Sequence, residues 1–275
     1  MRICLVFSFL LCLFACGEGE SQTARSPLVR PVGDTVGKRF DLPPGFVRVF
    51  VSAGSFGEYL RNLSLQPHGA KVHYYNGAEK PARVWSAVVD TDVGSRDLQQ
   101  CADAVIRLRA EHLYAQKRYA DIHFNFTSGD RIDYDKWRRG YRVRVNGNKV
   151  TWVKSADPSD DYVIFRKYLD IIFAYAGTLS LERELHSVPF SDLQIGDVFI
   201  QGGSPGHAVI VADAAENEET GERIFLLAQS YMPAQEIHIL QNPSDPARSP
   251  WYGNHISGEL HTPEWIFKTT DLKRF

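Results

Sequence analysis

Short apolar runs dominate the last third of the chain and predict strands. The runs are five to seven residues long and end at polar, glycine or proline positions; they are 197-DVFIQ-201, 207-HAVIVAD-213, 224-IFLLAQS-230 and 236-EIHIL-240. Strands of globular proteins have this length and this content of β-branched and aromatic residues. The segment therefore predicts an antiparallel sheet.

The middle of the chain carries helical periodicity instead. Over residues 97–118, Val105, Leu108 and the 112–113 positions recur at the 3.6-residue spacing of one helix face. Asp97 and Gln100 resemble a capping box, so we predict that this helix begins there. A second helix is predicted over 162–177, ending at a glycine.

Shorter elements complete the pattern. Residues 141–154 alternate on both sides of an Asn-Gly pair, which predicts a hairpin. Further strands are predicted over 46–51, 71–77 and 83–90, and short helices over 54–63 and 179–187. Helices followed by an antiparallel sheet indicate the α+β class.

The N-terminus differs from the rest of the chain. After Arg2 comes the apolar run CLVFSFLLCLFAC, which is too short to span a bilayer and has the charge and length of a signal peptide. Its end, Leu13-Phe14-Ala15-Cys16, resembles a bacterial lipobox, in which the cysteine is acylated. We expect a lipoprotein signal peptide over 1–16, lipid on Cys16 and attachment to a membrane. A plain secretory signal is the alternative.

The remaining organisation follows from this N-terminus. Residues 17–37 are polar, contain glycine and proline and lack periodicity, so they predict a flexible linker. A single α+β domain is expected over 38–275, located in the bacterial cell envelope on the periplasmic or outer-surface face.

Composition narrows the function classes. A formal net charge of −2 gives no reason to expect a nucleic-acid partner. The nine histidines show no HExxH motif and no tight pair, so we expect no metal and no cofactor. The basic segment 136-KWRRGYRVR-144 is either a solvated face or a patch for cell-wall carboxylates or lipid headgroups. The oligomeric state stays open.

One cysteine and one histidine stand out as candidate chemistry. With Cys4, Cys12 and Cys16 assigned to the signal peptide, Cys101 is left without a disulfide partner in an exported chain. It lies at the predicted start of the 97–118 helix, where the helix dipole stabilises a thiolate. His207 opens a predicted strand behind the turn 201-QGGSPG-206, whose glycines we expect to let a substrate backbone approach.

These segments resemble the NlpC-type papain-like cysteine hydrolases of the cell wall. The resemblance rests on Cys101 at a helix start, on the strand 196-GDVFI-200 and on His207 in 206-GHAVIV-211. It implies a papain-like α+β core, in which an antiparallel sheet packs against the cysteine-bearing helix, with an inserted hairpin and helix. It also implies a cysteine amidase or peptidase acting on cell-wall peptidoglycan peptide.

The same resemblance assigns roles to single residues. Cys101 would be the nucleophile, His207 the base and Gln229 the third polar residue; Ser230, Asp213 and Gln235 compete for that third role. Gln99 or Gln100 would stabilise the oxyanion, and the sequence does not choose between them. The chain departs from the family pattern in lacking Asp-Cys-Ser or Asp-Cys-Thr around Cys101.

Taken whole, the chain also resembles the bacterial lipoprotein family called domain of unknown function 4846. The segments that carry this resemblance are 97-DLQQCADAVIRLRAE-111, 175-YAGTLSL-181, 196-GDVFIQGGSPGHAVIV-211, 228-AQSYMPAQ-235 and 250-PWY-252. This family implies no activity. An alternative function is therefore a non-catalytic envelope lipoprotein that binds glycan or peptide on the aromatic platforms Trp85, Trp137, Trp152, Trp251 and Tyr252, with Cys101 as packing.

Overall fold

The structure is a computed structural model that describes residues 28–254, 256 and 258–275. The predicted signal peptide, Cys16 and most of the predicted linker lie outside the described residues. The helices are α1 (Val36–Arg39), α2 (Phe56–Arg61), α3 (Cys101–Ala115), α4 (Tyr134–Arg138), α5 (Tyr162–Tyr175) and α6 (Thr178–Glu184).

Fifteen short strands accompany these helices in the described part of the chain. They are β1 (Phe46–Arg48), β2 (Trp85–Val88), β3 (His123–Asn125), β4 (Arg131–Asp133), β5 (Tyr141–Asn146), β6 (Lys149–Lys154), β7 (His186–Ser187), β8 (Val198–Gln201), β9 (His207–Asn217), β10 (Arg223–Gln229), β11 (His238–Leu240), β12 (Tyr252–Gly253), β13 (Glu259–His261), β14 (Ile266–Lys268) and β15 (Leu272–Arg274).

Nine of these strands form one central sheet. Its order is β2-β11-β10-β9-β8-β15-β7, while β1 also pairs with β9 and β12 with β10. The strand pairs that we describe are antiparallel. The α+β class with a mainly antiparallel sheet is thereby confirmed, and β9 is the long strand at its centre.

Strand alternation divides the core into two layers. Ala208, Ile210 and Ala212 of β9 join the larger cluster, which also contains the buried residues of α3, and α3 packs directly on this strand. Val209 and Val211 point to the opposite face and join a smaller, aromatic-rich cluster. Residues of odd number near the start of β9, His207 included, therefore share the face away from α3.

The helix α3 begins at Cys101, later than predicted. Gln100 is the N-cap, and its backbone N–H donates to Asp103 Oδ2 at 3.0 Å, so the capping pair is Gln100 and Asp103. Asp97 does not cap the helix because its Oδ1 accepts from the backbone N–H of Ala234 at 2.7 Å and from the Gln100 side chain at 3.2 Å. Asp97 instead ties the preceding loop to the chain beyond β10.

Other predicted elements differ in extent. The hairpin over 141–154 is confirmed as β5 and β6. The strand predicted over 71–77 is wrong, because Gly77 takes φ +83 and a turn there folds His73 and Tyr74 back onto Ala78 and Glu79. The elements from β3 to α6 separate α3 from the strands β7 to β11 along the chain.

The end of the predicted linker contacts the domain. Residues 28–37 include a bridge between Val29 and Phe40 and another between Thr35 and Ser64. Val36 begins α1 and is fully buried in the larger core cluster. In the described range, no helix is both long enough and apolar enough to cross a membrane.

A buried carboxylate fastens the N-terminal elements to the sheet. Asp213 on β9 is fully buried and pairs with Arg48 of β1 at 2.8 Å and with Arg61 of α2 at 2.7 Å.

We expect Asp213→Asn to lower the free energy of unfolding by about 3–5 kcal/mol, because two partly buried guanidinium groups lose their counter-charge. Urea unfolding measures this. Glu79→Gln, which breaks an exposed pair with Lys71, is the control and should change it by less than about 1 kcal/mol; equal effects would contradict the assignment.

Candidate active site

Cys101 is the first residue of α3 and faces the start of β9. The residue is 6% exposed. Burial raises the pKa of the thiol, and three backbone amides around it act against this rise, those of Ala208, Ala102 and Cys101 itself. Ala208 directly follows His207, so the thiol lies against the first two residues of β9.

His207 begins β9 and is 1% exposed. Three aromatic rings surround its imidazole, with centroid distances of 4.7 Å to Tyr231, 5.4 Å to Trp265 and 5.8 Å to Phe267. These rings fix the plane of the imidazole and exclude water from it. In the range that the structure describes, no hydrogen bond joins this ring to the Cys101 thiol.

Two glycines of the turn before His207 are closely packed, although Gly203, Ser204 and Pro205 between them are exposed. A Cβ atom on Gly206 would lie 2.5 Å from Thr178 Oγ1 and 2.6 Å from the Gly203 carbonyl oxygen. A Cβ on Gly202 would lie 3.1 Å from Leu179 of α6. The glycines therefore let α6 approach the sheet, and the expectation that they line a cleft for substrate is wrong at these two positions.

Gln229, the last residue of β10, contacts His207 directly. Its Oε1 lies 2.8 Å from His207 Nε2. The other candidates for the third role are engaged elsewhere. The Ser230 hydroxyl donates to the carbonyls of Gln99 and Gln235, Asp213 pairs with two arginines, and Gln235 Nε2 donates to the Pro233 carbonyl. Of the residues proposed for that role, the structure brings Gln229 to the imidazole.

The orientation of the Gln229 amide is fixed by its other contacts. Its Nε2 donates to Glu264 Oε2 at 2.7 Å and lies 3.3 Å from Nε2 of His238. An ionised carboxylate only accepts, and His238 Nδ1 lies 2.9 Å from the Glu236 carbonyl and donates to it, which leaves His238 Nε2 as an acceptor. Both contacts require the Gln229 nitrogen, so its oxygen must face His207.

This orientation determines the tautomer of His207. Because Gln229 offers His207 an acceptor, His207 Nε2 carries the proton and Nδ1 is left with its lone pair. Behind Glu264 lies Lys80, whose Nζ is 2.6 Å from Glu264 Oε1 and whose side chain is 4% exposed. The chain of contacts from Lys80 through Glu264 and Gln229 thus ends at the imidazole.

Burial keeps the Cys101 and His207 side chains neutral. It raises the pKa of the Cys101 thiol to about 11; the charge of Asp103 adds to the rise, and the surrounding backbone amides oppose it. Burial lowers the pKa of His207 to about 4; the Gln229 hydrogen bond opposes this shift and the charge of Lys80 adds to it. At neutral pH the resting state is therefore a thiol and a neutral imidazole.

Asp103 is a second unusual carboxyl group beside the thiol. It is 5% exposed, and burial raises its pKa to about 8 against the opposing hydrogen bonds from the backbone amides of Gln100 and Asp103. Asp103 is therefore largely protonated below pH 8, and its charge acts on Cys101 only above that pH.

The two oxyanion candidates have other contacts. Gln99 is 1% exposed, and its Oε1 accepts from Arg107 Nη1 at 2.5 Å. The Gln100 side chain donates to Asp97 at 3.2 Å. Their oxyanion role stays a prediction, while the donors that lie around the thiol are the backbone amides of Cys101, Ala102 and Ala208.

The sequence analysis missed Lys80, Glu264, His238 and Tyr231. Tyr231 lies in a segment quoted only for the family resemblance, and His238 lies in a predicted strand. Lys80 and Glu264 lie outside any motif and are 184 residues apart in the chain. A lysine and a glutamate in polar loops are ordinary surface residues in sequence. Only the fold brings them beneath Gln229, so no local pattern marked them.

The proposed aromatic platforms are mostly core residues. Trp85, Trp137, Trp251 and Tyr252 are at most 6% exposed. Each polar atom of the three indoles donates to a backbone carbonyl, of Ala70, Ile164 and Asp41 respectively. Of the five expected platform residues, Trp152 alone is half-buried. Burial therefore contradicts the aromatic-platform hypothesis for the other four.

Comparison with known proteins identifies a family. The chain belongs to the Domain of unknown function (4846) family. The match covers residues 36–274, so both Cys101 and His207 lie within the Domain of unknown function (4846), as does the supporting pair Lys80 and Glu264. No curated protein and no solved structure matches the chain.

The charge on Asp103 gives a testable effect on the thiol. We expect Asp103→Asn to shift the pH dependence of Cys101 alkylation by iodoacetamide toward lower pH. Asparagine can still accept from the Gln100 N–H but carries no charge above pH 8, so the thiolate forms more easily. The control is Asp160→Asn, a carboxylate that is 55% exposed. Identical profiles for wild type and Asp103→Asn would contradict the assignment.

The orientation of Gln229 gives a second test. We expect Glu264→Gln to produce a mixture of His207 tautomers, because a glutamine at 264 either donates or accepts and no longer fixes the Gln229 amide. Nitrogen-15 NMR of the imidazole measures this, and the wild type should show the proton on Nε2 alone. Glu259→Gln, at an exposed carboxylate near His261, is the control. A His207 spectrum that Glu264→Gln leaves unchanged would contradict the network.

Proposed function

We propose that this protein is a lipid-anchored cell-envelope cysteine hydrolase, an amidase or peptidase with a papain-like, NlpC-type core that acts on cell-wall peptide. The observation that carries the proposal is the His207–Gln229 contact, in which a fixed amide leaves His207 Nδ1 unprotonated. The Cys101 thiol, at a helix start, lies against the backbone of the next residue, Ala208. A cysteine, a neutral imidazole and an orienting amide are the parts that thiol hydrolysis requires.

The proposed first step transfers a proton and forms a bond. The Cys101 thiol gives its proton to His207 Nδ1 as Sγ attacks the amide carbonyl carbon, and the carbonyl oxygen takes the electron pair. The amides of Cys101, Ala102 and Ala208 would donate to this oxyanion. His207 then gives the proton to the leaving nitrogen, the C–N bond breaks, and a thioester remains.

Water completes the proposed cycle. His207 Nδ1 takes a proton from water, and the hydroxide attacks the thioester carbon. The C–S bond breaks, the carboxylic product leaves, and the sulfur regains the proton. With a pKa lowered to about 4, His207 stays unprotonated and available as a base through neutral pH.

The neutral resting pair sets a condition on this mechanism. Cys101 and His207 are both nearly fully buried, so substrate entry requires movement of covering residues. Tyr231 is one such residue, since its ring lies 4.7 Å from that of His207 and its side chain is only partly buried. Entry would also bring the thiol within hydrogen-bond distance of Nδ1, because catalytic contacts tighten when substrate binds.

The lipobox-like N-terminus and the NlpC-type resemblance support the choice of substrate. A lipid on Cys16 would hold the domain beside the cell wall, where peptide amides are abundant. This part of the proposal rests on the lipobox-like sequence and on the NlpC-type resemblance, since function is decided by sites rather than by folds.

One observation favours a second candidate function. A thiol with a pKa raised to about 11 and 6% exposure is also what a packed, inert cysteine shows. On that alternative, the protein is a non-catalytic envelope lipoprotein that binds cell-wall glycan or peptide. Binding to the wall without bond cleavage would then be its whole activity.

Cleavage of isolated cell-wall sacculi distinguishes the two. We expect wild-type protein to release soluble fragments and Cys101→Ala to lose at least about a thousandfold in rate, because the nucleophile is removed. His207→Ala should lose a comparable amount. His261→Gln, an exposed histidine outside the site, is the control and should keep full activity.

Two results would contradict the hydrolase proposal. Equal release by wild type and Cys101→Ala would remove the nucleophile and with it the hydrolase. Sacculus binding that Cys101→Ala retains, with no release by any variant, would establish the binding protein.

A further inference from the structure

A segment between β4 and α5 is rich in basic residues. Residues 136–154 contain the seven basic residues Lys136, Arg138, Arg139, Arg142, Arg144, Lys149 and Lys154 and no aspartate or glutamate, in a chain whose formal net charge is −2. The segment comprises the end of α4 and both strands of the β5–β6 hairpin. We call it the basic hairpin.

Most of these charges lack an internal counter-charge. Arg138 pairs with Asp135 and Asp160, and Arg139 pairs with Asp135. For the other five, no carboxylate oxygen lies within 4.0 Å among residues 28–254, 256 and 258–275. Elsewhere the described chain pairs many of its exposed lysines and arginines with carboxylates.

The register of the hairpin directs Arg144 and Lys149 outward. Val143 pairs with Trp152 and Val145 with Val150, and these four residues pack against the larger core cluster. Cross-strand partners share a face, so the alternate positions occupy the opposite face. Arg144 and Lys149 lie there and are exposed. The hairpin thus has one apolar face on the domain and one cationic face on the solvent.

Aromatic rings hold other cations in place without neutralising them. Lys136 Nζ lies 4.8 Å from the centre of the Trp152 ring, and Lys154 Nζ lies 5.6 Å from that of Tyr141. The Arg142 guanidinium lies 4.4 Å from the Trp137 ring. A ring attracts a cation but has no net charge, so these contacts order the side chains and leave the charge available.

We propose that the cationic face of the basic hairpin binds anionic lipid headgroups and orients the domain on the membrane. This inference rests on the proposed lipidation of Cys16. Only eleven residues lie between Cys16 and Leu28, the first described residue. A fully extended chain of that length reaches about 40 Å, so an acylated protein stays within about one domain diameter of the bilayer.

The tether and the basic hairpin would have complementary effects. A lipid on Cys16 limits the distance from the membrane but leaves the domain free to rotate. Each lysine or arginine near an anionic surface strengthens binding about fivefold. Charge complementarity therefore selects the orientation in which the hairpin faces the headgroups.

Vesicle binding by the full chain tests the proposal. We expect wild type to bind vesicles that contain phosphatidylglycerol more tightly than vesicles of phosphatidylcholine alone. The double variant Arg144→Gln/Lys149→Gln should lose about 25-fold in affinity for the anionic vesicles and nothing on the neutral ones. Added salt should weaken wild type more than the variant.

The control removes two charges elsewhere. Arg183→Gln/Lys268→Gln changes the net charge equally at two exposed residues outside the hairpin and should bind like wild type. Thermal melting verifies that both variants fold. The apolar N-terminus is common to all three chains, so it does not contribute to the difference between them.

Three outcomes would overturn the proposal. One is equal binding of wild type to both vesicle types, and another is an equal loss in the control variant. The third is hairpin-dependent binding to sacculi without binding to vesicles, which would make a cell-wall polymer the occupant. None of these results depends on Cys101, so failure here leaves the sacculus cleavage experiment unaffected.

Discussion

The central strand β9 must serve two cores at once, and the site depends on this constraint. Its even-numbered residues near the start pack under α3, while its odd-numbered residues enter the aromatic layer on the other face. Cys101 therefore reaches the strand from the helix side, and His207 is held by rings of the opposite layer. The thiol and the imidazole thus approach the first two residues of β9 from the two faces of the sheet.

The second constraint is electrostatic. His207 and Gln229 are each 1% exposed, so their polar atoms need partners within the protein. Gln229 uses its carbonyl oxygen on His207 and its nitrogen on Glu264 and His238, while Lys80 balances the charge of Glu264. Such a network holds one arrangement of protons. If the Gln229 amide were reversed, its oxygen would face two other acceptors, Glu264 Oε2 and His238 Nε2.

Sequence analysis predicted the elements that depend on local pattern. The strands β8 to β11, the β5–β6 hairpin and the helices α3 and α5 follow from apolar spacing, and the family match agrees with the resemblance seen in the motifs. It failed where a long-range contact overrode a local signal. Asp97 has the form of a cap yet bonds Ala234, and the aromatic residues that suggested platforms are buried by the sheet. The roles of Lys80 and Glu264 depend on tertiary contacts that no local pattern encodes.

The bond from Ala234 to Asp97 has a mechanical consequence. The segment from Tyr231 to Ala234 has a contact at each end. The Tyr231 ring packs on the imidazole, and the Ala234 N–H donates to Asp97 in the loop before α3. Asp97 also holds Gln100, the residue that caps the helix immediately before Cys101. If Tyr231 moves away from His207, the bond between Ala234 and Asp97 transmits this movement to the start of α3. Exposure of the imidazole and placement of the thiol are therefore coupled.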